Sequence, residues 1–117
     1  AAYTYGIGTR TKDRNDIFSI LIHKGEELPL NRQEQFIGYP VEEDQLSITW
    51  NVYRSDKDEP ETTSSETFLG NLMVDCPADE VKANRRQTGI FKFGGSEIRI
   101  VVENVKGEQF KKGVRLV

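Results

Sequence analysis

The sequence predicts an all-β fold, an antiparallel β-sandwich of about eight strands. Two observations carry this. Apolar residues alternate with polar ones over short runs, which is the period of a strand with one buried face. The runs are separated by glycine-rich and polar turn segments at the spacing of a sandwich or barrel. The alternation is clearest from Leu46 to Tyr53. There Leu46, Ile48, Trp50 and Val52 share one face, opposite Ser47, Thr49, Asn51 and Tyr53. It recurs from Glu97 to Glu103, where Ile98, Ile100 and Val102 lie opposite Arg99 and Val101.

Taken in order, the expected strands are Tyr5 to Thr9, Ile17 to His23, Glu34 to Gly38, Leu46 to Tyr53, Thr67 to Val74, Gly89 to Phe93, Glu97 to Glu103 and Phe110 to Leu116. Lys24-Gly25 closes the second strand. Gly94-Gly95-Ser96 and Lys106-Gly107 supply the positive φ that tight hairpins need. Ser55 to Glu66 is polar, contains Pro60 and reads as a long flexible hairpin loop. Pro77 to Gln87 reads as a second irregular segment, with room for one helical turn. No long amphipathic helix and no internal repeat stand out.

Composition narrows the function. The 117 residues fit one domain with a single modest core. Hydrophobic residues make up 36% and charged residues 30%, the balance of a soluble globular chain. A formal net charge of −3 argues against nucleic acid, whose phosphates call for a basic face. It gives no support for an anionic membrane surface, and no apolar run is long enough to span a bilayer. The start, Ala1-Ala2-Tyr3, has no Met, so an excised piece of a longer chain is expected. One cysteine, Cys76, rules out an internal disulfide framework, and no Asn-x-Ser/Thr sequon occurs. Both features lean towards a reducing, cytoplasmic compartment.

The residue types that drive catalysis are sparse. His23 is the single histidine and no nucleophile-elbow pattern accompanies it, so a structural role at a strand end is expected. Cys76 reads as a small buried hydrophobe. The spacing of Cys, His and acidic residues matches no metal site. Asp56-Lys57-Asp58-Glu59 fails as a calcium loop, with Glu61 where glycine is needed and Thr67 where glutamate is needed. Glu42-Glu43-Asp44 reads as a solvent-facing turn, and Arg85-Arg86 as part of an exposed loop. Gly6-Ile7-Gly8 lacks the third glycine and the following helix of a dinucleotide fingerprint. These readings favour a binding module over an enzyme.

Several segments, in order, resemble the substrate-binding β-sandwich of the seventy-kilodalton heat-shock chaperones. They are Tyr5-Gly6-Ile7-Gly8-Thr9, Leu21-Ile22-His23-Lys24, Leu28-Pro29, Phe36, and Gln45 through Val52. Phe68-Leu69-Gly70 and the hairpins from Ile90 to Glu108 follow. The likeness covers nearly the whole chain, residues 1–117, and is closest to a divergent member. It implies a groove that takes extended apolar segments of unfolded polypeptides, held by main-chain hydrogen bonds with one side chain in a central pocket. Carried over by position, Ile7, Thr9, Phe36, Ile48 and Trp50 would line the pocket, and Arg10 and Tyr39 would arch over the peptide. Trp50 stands where the family has a smaller aliphatic residue, and an indole is large enough to fill that pocket. Arg10 stands where the family has an apolar arch residue.

The resemblance implies no cofactor for this piece. ATP, a nucleotide-binding domain and co-chaperones would belong to the parent protein, and an unlidded sheet edge would favour weak self-association. The alternative function is a sandwich that keeps the chaperone fold but has a closed groove, acting as a structural or protein-protein interaction module.

Overall fold

The computed structural model describes residues 1–27, 32–76 and 85–116. Among them are eight strands and no α-helix: β1 (Thr4–Thr9), β2 (Ile17–Ile22), β3 (Gln33–Gly38), β4 (Ser47–Ser55), β5 (Thr67–Asp75), β6 (Gln87–Gly94), β7 (Glu97–Asn104) and β8 (Gln109–Arg115). Every expected strand is present, with ends moved by no more than two residues. The Leu28-Pro29 step and positions 77–84 of the second irregular segment lie outside the described residues.

The strands form two antiparallel four-stranded sheets, ordered β2-β1-β4-β5 and β3-β6-β7-β8. Their inner faces meet in one core. Ile7, Ile22, Trp50, Val52 and Val74 come from the first sheet, and Phe91, Phe93, Ile98, Ile100 and Val102 from the second. Ile98, Ile100 and Val102 are all fully buried, as their alternation requires. Val101, on the opposite face, is also buried; its register neighbours are Ile90 and Lys111. Gly95 and Gly107 sit at φ 59° and 82°, the left-handed region that the two hairpin turns need.

Three expectations are corrected. Leu46 does not continue the inner face of β4. It lies outside the strand and is 64% exposed, because the strand opens only at Ser47. The Ser55–Glu66 segment is tied to the sheet along much of its length. Thr62 forms a β-bridge with Ile17, the Phe18 amide donates to the Glu61 carbonyl (3.0 Å), and the Thr63 amide donates to the Asp16 carbonyl (2.8 Å). Pro60 is buried in the fold-back. The segment therefore covers the outer edge of β2, which would otherwise present unpaired backbone. Arg85, expected in an exposed loop, is 3% exposed. Its two terminal nitrogens donate to the carbonyls of Glu43 (2.6 Å) and Gln45.

Candidate functional site

The site arises from a mismatch in strand length. β1 pairs with β4 only as far as Gly8 opposite Asn51, and the chain then turns away through residues 10–16. β4 runs on to Ser47 with β5 beside it throughout. Over Ser47–Trp50, β4 therefore has a strand neighbour on one side only, among the described residues.

A groove of about 740 Å³ opens there, within the range of ligand sites. Thr9, Arg10, Thr11, Lys12 and Asn15 form one wall. The chain leaving β3, Ile37 to Val41, forms the other. The floor is the outer face of β4: Ser47, Thr49, Asn51 and Tyr53. The alternation that buries Trp50 and Val52 thus turns a row of hydroxyl and amide groups into the groove. Tyr53 ends the row, held between Phe18 (ring centroids 6.5 Å) and Phe68 (5.6 Å). Among the described residues, no carboxylate lines the groove.

Both walls are fixed by local hydrogen bonds. On the first, Thr11 closes a turn: its Oγ1 accepts from the amides of Asp13 (3.3 Å) and Arg14 (3.2 Å), and its own amide donates to the Arg14 carbonyl (2.7 Å). On the second, the Gln45 side chain does most of the work. Its Oε1 accepts from the amides of Val41 (2.8 Å) and Glu42 (3.3 Å), and its Nε2 donates to the Ser47 carbonyl (2.6 Å). Arg10 Nη2 donates to the same Oε1 at 2.9 Å. That bond joins the two walls across the site.

A buried polar chain backs the second wall. Trp50 Nε1 donates to Gln87 Oε1 (2.8 Å), and Gln87 Nε2 donates to the Val74 carbonyl (3.0 Å) and contacts Cys76 Sγ (3.5 Å). The Cys76 thiol reaches the Arg85 carbonyl (3.8 Å), and Arg85 holds the rim turn at Glu43 and Gln45. Burial pushes the Cys76 thiol up, so it stays protonated and poorly reactive at neutral pH.

Thr9, Arg10 and Tyr39, three of the residues singled out by the resemblance, line the groove. The other four do not. Ile7 and Trp50 are core residues, while Phe36 and Ile48 are partly buried and pack against the core. The Trp50 ring lies 6.0 Å from Phe91 and presses on two glycines of the other sheet. A Cβ added at Gly89 would come within 2.6 Å of the indole, and one at Gly38 within 2.9 Å. The indole occupies the space between the sheets beneath the groove. Gln45, Arg85 and Gln87, which shape the rim, were not expected as site residues. Of the three, only Gln45 fell within a segment carrying the resemblance.

His23 lies away from the groove. Its Nδ1 is 2.9 Å from Glu26 and its Nε2 is 3.0 Å from Glu59, so the ring ties the end of β2 to the folded-back segment. No group of three or more His, Cys, Asp or Glu among the described residues is arranged to hold a metal ion. No helix among them is long and apolar enough to cross a membrane. No protein-family model matches this chain, and no curated protein matches it in sequence.

Proposed function

We propose that this chain is a peptide-binding module that takes an extended segment of unfolded polypeptide into the groove beside β4, as the substrate-binding sandwich of a heat-shock-type chaperone. One observation carries the reading: among the described residues, Ser47–Trp50 of β4 has β5 on one side and no strand on the other, where the groove opens. An extended chain entering there adds as a strand, gaining main-chain hydrogen bonds while the groove walls select side chains. Arg10 and Tyr39, the arch positions of the resemblance, both border this groove, and Arg10 spans to Gln45 over it. In this reading ATP hydrolysis, co-chaperones and a lid belong to other parts of a parent cytoplasmic protein, and this domain performs no chemistry of its own.

The test is anisotropy titration of a fluorescent, permanently unfolded protein with the native domain and with Thr49→Phe. Thr49 is exposed on the groove floor, so the substitution blocks the groove while leaving the core intact. Saturable binding lost in Thr49→Phe, with an unchanged melting temperature, supports the reading. Binding that is absent, or indifferent to Thr49→Phe, removes it.

A second reading is favoured by Trp50. The indole lies between the sheets against Gly38 and Gly89 and is locked by Gln87, so it takes up space that an open apolar pocket beneath the groove would need. A sandwich of that kind acts as a structural or interaction module.

A further inference from the structure

The chain as a whole is acidic, with 19 Asp and Glu against 16 Lys and Arg. Its groove reverses that balance: among the described residues, Arg10 and Lys12 line it and no carboxylate does. Arg10 commits one nitrogen to Gln45, leaving further guanidinium donors free, and Lys12 makes no hydrogen bond or ion pair within the described residues. Along the floor, Ser47 Oγ, Thr49 Oγ1, the Asn51 amide and Tyr53 Oη likewise have no side-chain partner within the described residues. These four sit on alternate residues of one strand, spaced by about 6.6–6.8 Å. Alternate side chains of an extended peptide have the same spacing.

We infer that the groove selects extended segments carrying acidic side chains, in preference to leucine-rich ones; the inference rests on the peptide-binding reading above. A leucine laid on this floor strips water from hydroxyl and amide groups and returns no hydrogen bond. A carboxylate replaces that water with charge-assisted bonds. The opposite wall, with Ile37 and Tyr39 both at least half exposed, suits the aliphatic stems and apolar neighbours of a peptide. A polypeptide therefore fits better than a small anion. Glu42, Glu43 and Asp44 stand exposed on the rim turn outside the lining. They repel acidic groups on that side and direct them towards Arg10 and Lys12.

The test uses three labelled peptides of equal length on a Thr/Val host, with Glu, Gln or Leu at two central alternate positions. Each is titrated at low and high salt into the native domain, Lys12→Gln and Arg10→Gln/Lys12→Gln. Lys12→Gln changes charge without breaking a contact; the double variant also removes the bond to Gln45. The Glu peptide is expected to bind about fivefold more tightly than the others. Its lead should narrow in Lys12→Gln, fall to within about twofold in the double variant, and shrink with salt. The inference is overturned if the Leu peptide binds best or if the Glu advantage survives the double variant. Equal binding of all three sinks this inference alone. Absence of binding by any peptide sinks the peptide-binding reading with it.

Discussion

Trp50 is where the chemistry of a single residue decides most. Its indole closes the space between the sheets, and its N–H is the partner of a buried amide. Trp50→Phe keeps most of the apolar volume but orphans Gln87 Oε1. We expect a loss of about 1–3 kcal/mol in urea unfolding, the cost of a buried acceptor left unpaired. Gly89 tests the packing from the other sheet. Gly89→Ala sets a methyl against the indole and should destabilise by about 1–3 kcal/mol. Gly94→Ala, which meets nothing within 4 Å, should stay within about 0.5 kcal/mol of the native domain. The inward direction of Trp50 was legible from alternation. Its partner was not: Gln87 begins a strand 37 residues later, and an amide at a strand end reads as solvent-facing until the two sheets are stacked.

Two connecting segments set the edges of the elements. The rim turn between β3 and β4 is held by Gln45 from within and by Arg85 from behind. Gln45→Ala should leave global stability nearly unchanged and speed amide exchange at Val41 and Glu42 by about tenfold, for the loss of roughly one net hydrogen bond each. Unchanged exchange would show that Arg85 alone fixes the turn. The Ser55–Glu66 segment is clasped to the end of β2 by His23, whose ring meets Glu59 of the segment on one side and Glu26 on the other. Glu26 is held down to about 2 from an ordinary 4.5, first by the His23 amide and then by Arg32 and the His23 ring. A carboxylate depressed on folding contributes stability above 4.5 that is lost as pH falls towards 2. Melting temperature should therefore drop across that window, and Glu26→Gln should flatten the drop. The strands were legible because their buried faces impose a period of two. The fold-back of 55–66 was not, because its anchors are backbone carbonyls and amides that no side-chain pattern announces.

At the scale of the whole molecule, the sandwich matters because its strands are unequal. β1 stops pairing with β4 at Gly8 while β4 continues to Ser47, and the fold leaves one stretch of inner strand open beside a groove. The all-β class and the positions of the strands along the chain could be read from sequence, but their order in the sheets and a missing neighbour could not, since pairing partners are set by topology. Thr9, Arg10 and Tyr39, which the resemblance singles out, stand in the groove walls. The polar floor was hidden in plain alternation, as the outward half of a strand noticed for its inward half. Amide hydrogen exchange with and without a bound extended peptide tests this account most directly. It predicts new protection within Ser47–Trp50 and along the groove walls, with the edge strand β8 unchanged. Protection confined to β8 or to the outer edge of β5, or none in β4, would contradict it.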